Sequence, residues 1–362
     1  MRDHPRILVV RPDRVGDVIL ATPLIRALRQ TFPDAHLTAL VRPYTSPLLE
    51  NSPHLDDVLL DDPGGRDAGG RGFWRQVASL RRHRFDTALL LLPNKRHAWM
   101  LFLAGIRTRI GVGRKLYQVM TFMRSVSRNR YVPLRHEADY CLDLGRAIGV
   151  DANDLSTEIF LTPEERDRAW RTLVGAARER LEPKRLIGIH PGSGGSAPNW
   201  SVGRYVDLAR RLLREESVHL VLTGGAEERG LASAFQALDE RRVTNLMGQL
   251  QLRETASVIA HLAVLVSPST GPMHMAAALR VPTVSLFCKL TACSPHLWGP
   301  QGNQAWIVEP ESECQYEPGV AHECVERGVE VDRVARIVRE ALTTARAGGR
   351  SRHPRVATPR VT

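Results

Sequence analysis

The sequence predicts an α/β protein built from two Rossmann-like domains that face a cleft. Three observations carry this. Short apolar, β-rich runs alternate with amphipathic helical stretches along nearly the whole chain, which argues for parallel sheets. The alternation ends and starts again near residues 170–185. The length, 362 residues, is more than one core of ordinary size requires.

In chain order, Arg6–Arg11 (RILVVR) is the first strand. Asp17–Thr31 follows as a helix with apolar residues at Val18, Leu20, Leu24, Ile25 and Leu28. His36–Val41, Asp57–Leu60 and Asp86–Leu92 are further strands, and Phe73–Arg81 is a helix between the last two. The unbroken apolar run Leu89–Leu92 fits a parallel strand covered on both faces. The pattern blurs over Arg114–Leu134 and resumes with helices at His136–Ile148 and Pro163–Arg180. A second series has strands at Arg185–His190, Val218–Thr223, Ala263–Ser267 and Pro282–Phe287. Helices at Val202–Arg214, Glu227–Leu238, Arg253–His261 and Pro272–Leu279 lie among them, and a last helix spans Val329–Ala347. The expected domains are therefore residues 1–175 and 182–347. The basic tail 348–362 has no apolar period and is expected to be disordered. In such sheets, ligands bind beyond the carboxyl ends of the strands.

Composition is that of a soluble globular protein, with 43% hydrophobic and 25% charged residues. The net charge of +11 favours an acidic partner: nucleic acid, anionic lipid or a phosphorylated substrate. No signal-peptide pattern and no apolar run near the roughly 18–20 residues of a membrane span is present, so a cytoplasmic location is expected. The five cysteines read as reduced thiols. Cys288/Cys293 and Cys314/Cys324, with His296 and His322 nearby, lack the short C-x-x-C spacing of a zinc site, and packing thiols with no metal are expected.

Four segments carry candidate chemistry. The first, RPDRVGDVILATP, follows the first strand and opens the first helix. A carboxylate at a helix start ordinarily caps backbone N–H groups. Asp17, however, stands at a strand's carboxyl end beside Arg11 and Arg14, where it could take a proton from an attacking hydroxyl, and Gly16 allows close backbone approach. The two arginines suit phosphate or carboxylate recognition. The second segment, HPGSGGSAPNW (His190–Trp200), offers backbone N–H groups and hydroxyls such as Ser193 to a phosphate or sugar. The third, TGGAEERG, places Glu228 (or Glu227) at a helix start, where an acid can bind a ribose diol or simply complement the helix dipole. The fourth, SPSTGPMHMAAALRVPTVSLF, puts Thr270 or Gly271 at the cap, Pro272 in the first turn and His274 close behind, a helix start suited to a diphosphate.

The run R-x-D-R-x-G-D-V-x-L-x-T-P is similar to the N-terminal signature of the heptosyltransferase family, glycosyltransferase family 9. The following TFPDAHLTALVRPYTSPLLENSPHLDDVL and the T-G-P-M-H block resemble that family too, and the likeness runs over about residues 6–345. The resemblance implies the two-domain glycosyltransferase B architecture and inverting transfer, without a metal or other cofactor, of a heptose or similar sugar from an ADP-sugar. It implies Asp17 as catalytic base and Arg11, Arg14 and Gly16 toward the acceptor. Ser193, Glu228, Thr270, Gly271, Met273 and His274 are implied as donor contacts. The acceptor implied is an anionic, lipid-linked glycan such as the lipopolysaccharide core. Two positions depart from the family pattern: Pro198 stands where a diphosphate-binding Lys is usual, and Ser269 where the acid of D-[ST]-G-P-M-H is usual.

Thr87–His136 carries ten Lys or Arg and no Asp or Glu, with Trp99, Met100, Phe102, Leu103, Tyr117, Phe122 and Met123 interleaved. Without a nucleic-acid-binding module, contact of residues 95–135 with an anionic membrane surface is the more economical partner reading, and no nucleic acid is expected. The rival readings are a nucleotide-sugar epimerase and a non-catalytic or altered-donor relative. A nicotinamide dehydrogenase is disfavoured, because no strand is followed by G-x-G-x-x-G.

Overall fold

The computed structural model describes residues 4–126, 134–177, 181, 186–312, 314 and 323–347. The chain divides into two compact units, Met1–Phe160 and Leu161–Thr362.

The first unit holds a six-stranded sheet of β1 (Arg6–Val10), β2 (His36–Val41), β3 (Asp57–Leu60), β4 (Thr87–Leu90), β5 (Thr108–Val112) and β6 (Arg124–Val126). Its order is β3-β2-β1-β4-β5-β6, and every pairing is parallel. Successive side chains of a strand point to opposite faces. Ile7 and Val9 accordingly join a core with Leu24, Leu28 and Leu144, while Leu8 and Val10 join another with Leu80, Met100 and Leu101.

The second unit repeats the plan. Its strands are β7 (Leu186–Ile189), β8 (His219–Leu222), β9 (Val243–Asn245), β10 (Val264–Pro268), β11 (Thr283–Leu286) and β12 (Ala305–Val308). The order β12-β11-β10-β7-β8-β9 is the first sheet's order read from the other edge, again all parallel. Ile187, Ile189, Leu220 and Val264 meet Tyr205, Leu208, Val334 and Val338 in its core. In each sheet the strand order reverses once, between β1 and β4 and between β7 and β10. Ligand crevices form at such switch points.

Several expectations are corrected. The single helix over Asp17–Thr31 is two, Val15–Ile19 and Thr22–Thr31, because Pro23 supplies no N–H to continue the ladder and the Thr22 hydroxyl donates to the Ile19 carbonyl at 2.7 Å. The blurred stretch holds the helix Leu116–Met120 and β6, and ahead of it the helix Lys95–Leu103 and the strand β5 were not among the expected elements. Residues Ala226–Phe235 form a 3-10 helix, and a short helix Cys324–Gly328 that was not expected precedes the last helix, Val331–Ala347. The division between units falls at Phe160/Leu161, not near residue 175. The helix Pro163–Ala176 belongs to the second unit, where Glu165 pairs with Arg253 at 2.7 Å and the Arg166 carbonyl lies 2.8 Å from His261 Nε2. The tail 348–362, residues 178–180 of an expected helix and His322 lie outside the described residues. Among the described residues no helix is long and apolar enough to cross a membrane.

Candidate active site

In the first unit, the segment after β1 stays on the sheet for one more residue, as the Arg11 N–H donates to the Leu40 carbonyl at 3.0 Å. Arg14 then takes an extended conformation and the helix Val15–Ile19 begins, so Asp17 is its third residue rather than its cap. The Asp17 carboxylate keeps 16% of its side-chain surface. Its Oδ1 accepts from Arg11 Nη2 at 2.5 Å.

Arg11 is 2% exposed. Its guanidinium donates to Asp17, to Glu137 Oε1 at 3.0 Å and to the Leu91 carbonyl at 3.3 Å, and Nε lies 3.7 Å from Asp13 Oδ2. Burial works against its charge, but nearby Cys141, Asp17 and Asp13 outweigh it and hold the guanidinium charged. Arg11 thus faces inward and serves Asp17, whereas Arg14 is exposed and Gly16 half-buried. Glu137, the first residue of the helix Glu137–Arg146, has a fully buried side chain and completes this cluster. Its sequence carried no signal beyond an acid in a first helical turn. Asp13 escaped notice as well. Burial first, and then the charge of Asp17, push its carboxyl up from the ordinary range. Arg42 and Tyr44 fasten the same turn, donating to the Pro12 and Asp13 carbonyls at 3.0 and 3.1 Å.

In the second unit, the expected donor residues gather after β7, β8 and β10. His190 is held by its N–H on the Val266 carbonyl at 2.9 Å, and its Nδ1 lies 3.0 Å from Thr223 Oγ1. Its Nε2 lies 3.4 Å from Glu228 Oε2, which also accepts from the Gly225 N–H at 2.8 Å. Burial raises the Glu228 carboxyl, but the His190 contact and the Gly225 N–H win and hold it below the usual range. Of the two acids offered by the sequence, Glu228 is therefore the one built into the site, while Glu227 is exposed. Gly192 leaves room for the Glu228 carboxylate as it stands, since a Cβ on it would fall 1.5 Å from Glu228 Oε1 and move that side chain away.

The loop Pro191–Trp200 is closed at its base by Asn199, whose Nδ2 donates to the Pro191 carbonyl at 2.7 Å and whose Oδ1 accepts from the Tyr205 hydroxyl at 2.7 Å. At its tip, Ser193 is half-buried and Gly194 and Gly195 adopt positive φ. After β10, Ser269 donates its N–H to the Leu286 carbonyl at 3.1 Å, and Thr270 caps the helix Gly271–Ala278 in extended conformation. Gly271 is half-buried and His274 is 4% exposed. The Met273 side chain is completely buried, so it packs the helix from inside and offers no thioether to a donor.

The basic stretch divides in two. Met100 and Met123 are core, Arg109 is buried against the Ile106 and Thr121 carbonyls, and Arg96 pairs with Asp61 at 3.3 Å. What remains outside is Leu116, Val119, Met120 and Phe122, the last 78% exposed, beside exposed Arg107, Arg114, Lys115 and Arg124. Phe122 has φ 47°, a left-handed conformation uncommon for a bulky residue.

Two like-wound Rossmann units, each with its motifs at the carboxyl ends of the strands, are the glycosyltransferase B architecture. The profile of glycosyltransferase family 9 (heptosyltransferase) matches residues 73–328, and the chain belongs to that family. The match begins after the Asp17 segment. Lipopolysaccharide heptosyltransferase 2 of Salmonella typhimurium is 27% identical over 310 residues, covering 84% of this chain and 87% of that protein. Among solved structures, a family 9 glycosyl transferase from Veillonella parvula superposes with a TM-score of 0.82 at 22% identity, over 95% of this chain and 98% of that one. The E. coli ADP-heptose lps heptosyltransferase II gives 0.75 at 24% identity, over 94% and 99%.

Proposed function

We propose that this glycosyltransferase inverts the anomeric centre of a heptose or similar sugar as it moves the sugar from an ADP-sugar to a lipopolysaccharide core or related glycan. The observation that carries the proposal is the Asp17 carboxylate, partly open and anchored by the buried Arg11 at the β1/β4 switch point. Asp17 takes the proton of the acceptor hydroxyl as that oxygen bonds to the anomeric carbon. The bond from the anomeric carbon to the phosphate oxygen breaks through an oxocarbenium-like state, and ADP leaves with the electron pair. The start of the helix Gly271–Ala278 meets the growing diphosphate charge, with Thr270 and His274 beside it. Glu228 receives the ribose diol and Ser193 the diphosphate, while Arg14 and Gly16 line the acceptor's approach. In this role Arg11 is a positioning residue. The step as written requires no metal.

The relative named above is a lipopolysaccharide heptosyltransferase, which supports the choice of sugar and acceptor. The test is ADP release from ADP-heptose with a deacylated inner-core acceptor. Wild type should release ADP only when acceptor is present, and Asp17→Ala should abolish release while still binding ADP. Equal rates in the two proteins remove Asp17 from the mechanism, and release or isomerisation without acceptor indicates an epimerase.

A second reading rests on Pro198 and Ser269, which replace a cation and an acid of the family pattern: an altered donor, or binding without turnover. Thermal shift across ADP-, GDP- and UDP-sugars separates these cases, since a shift only with another nucleotide names the altered donor.

We further propose that the exposed apolar residues Leu116, Val119, Met120 and Phe122, interspersed in sequence with exposed cations, seat the enzyme on an anionic membrane surface, on the inner face of the cytoplasmic membrane, where a lipid-linked acceptor would lie. Co-sedimentation with phosphatidylglycerol vesicles and not with phosphatidylcholine vesicles is the expected result.

A further inference from the structure

Three sulfur atoms from separate parts of the second unit meet at one point. Cys288 lies two residues beyond β11, Cys314 lies beyond β12, and Cys324 opens the helix Cys324–Gly328. Cys288 Sγ is 3.4 Å from Cys314 Sγ and 3.1 Å from Cys324 Sγ, and all three sulfurs lie within 4.8 Å of one another. Cys288 is 1% exposed and the other two are half-buried. The Leu290 N–H donates to Cys288 Sγ at 3.4 Å.

Apolar packing is a poor account of this arrangement. A thiol is a weak donor and a weak acceptor, so three of them together satisfy one another badly. One disulfide cannot absorb them either, because an odd sulfur remains. A thiolate-bound cation accounts for all three. At a zinc–sulfur distance of about 2.3 Å, tetrahedral geometry sets sulfurs roughly 3.8 Å apart, so the 3.1 and 3.4 Å pairs would have to open by less than about 1 Å to take a cation between them. A backbone N–H on a ligating sulfur is the kind of outer contact that metal ligands commonly receive.

We propose that Cys288, Cys314 and Cys324 bind one soft first-row divalent cation, zinc or ferrous iron, as three corners of a tetrahedral site. Three thiols give up their protons to solvent as the metal–sulfur bonds form. The ligands are 26 and 36 residues from Cys288, which is why no short cysteine spacing announced them. Cys293, on the turn Thr291–Cys293, falls outside the mutual distance and is not counted. The cation ties the end of β11 and the segment after β12 to the start of the helix Cys324–Gly328. That helix in turn braces the far end of the Pro191–Trp200 loop. Ser201 donates its N–H to Glu326 at 2.6 Å, and Trp200 Nε1 donates to the Val329 carbonyl at 3.1 Å. The role is structural and separate from the transfer step.

The experiment uses the full chain, purified with reductant and without chelator. Metal content is measured by elemental analysis, and cobalt(II) is added to the metal-stripped protein. Close to one equivalent of zinc or iron per chain is expected, along with thiolate-to-cobalt charge-transfer bands and the intense visible bands of a tetrahedral ion. Cys314→Ser and Cys324→Ser should each weaken cobalt binding by more than the roughly 10–100-fold that loss of an outer contact costs, while Cys141→Ala keeps it. The cobalt spectrum of the wild type stands even if a variant fails to fold. The proposal is overturned by a reduced wild type that takes up no zinc, iron or cobalt. A cobalt spectrum without thiolate bands, or full binding by the double variant Cys314→Ser/Cys324→Ser, overturns it equally.

Discussion

Replacing Arg11 with methionine keeps a long apolar stem and deletes the charge that holds Asp17. The side chain of Arg11 is 3% exposed and that of its partner Glu137 is 0% exposed, so water cannot take over the solvation of the Glu137 carboxylate. Breaking a buried pair from one side costs about 3–5 kcal/mol. For a unit of this size each kcal/mol moves the melting midpoint by roughly 2–4 °C, so Arg11→Met should lower the melting temperature by roughly 6–20 °C. Glu137→Gln, introduced second, should recover much of that loss, because the double variant no longer buries a Glu137 charge from which the Arg11 charge has been removed. Differential scanning calorimetry of the wild type, both single variants and the double completes the cycle. In the ADP-release assay, Arg11→Met should lower kcat with donor KM unchanged, and Arg11→Lys should restore part of it. A midpoint within about 2 °C of wild type for Arg11→Met, or loss in the double variant equal to the sum of the singles, would refute the anchoring role.

Other predictions follow from neighbouring features. If Glu228 takes the ribose role proposed for it, Glu228→Ala should weaken ADP binding about tenfold or more, the size of a hydrogen bond to a charged group, as read by titration calorimetry. Asp61 is fully buried, and although burial raises its carboxyl, His97 and Arg96 hold it below the usual range. A lowered folded value means stability present above the unfolded value and lost in acid. Asp61→Asn should therefore be destabilised at neutral pH, with the difference shrinking as pH falls below about 4 and vanishing once pH passes the lowered folded value. Asp13 carries the opposite sign. Its contribution is present in acid and lost as pH rises through its folded value, so Asp13→Asn should melt higher than wild type at neutral pH and show no gain below about pH 4. Phe122→Ser should reduce binding to anionic vesicles by roughly 10–150-fold, given about 1.5–3 kcal/mol for one buried aromatic side chain, without altering ADP release from the donor when a deacylated acceptor is supplied.

The repeating strand–helix plan was legible because parallel strands buried on both faces are written as unbroken apolar runs, as in Leu89–Leu92. Of the edge strands, Asp57–Leu60 was legible and two three-residue ones were not. Arg124–Val126 and Val243–Asn245 have three residues each, and Arg124, Ser125 and Asn245 are exposed. Asp17 could be found because its neighbours in sequence are also its neighbours in space. Glu137 lies 126 residues from Arg11, and only the fold joins them. Arg11 was expected to reach toward a ligand because a sequence shows charge but not the direction a side chain takes. Met273 was carried along with a motif whose backbone matters there, while its side chain belongs to the core.

The division at Phe160/Leu161 sets where the gene can be cut. Arg26 clasps the Ser156 and Asp154 carbonyls at 2.8 and 3.1 Å, so the segment up to Glu158 is part of the first unit. Thr162 begins the second with a reciprocal cap, in which its N–H donates to Glu165 and its hydroxyl accepts from the Glu165 N–H. A split-gene design that starts the downstream polypeptide at residue 182 discards the helix whose Glu165 neutralises Arg253, a side chain only 10% exposed. The same design started at Leu161 keeps that pair.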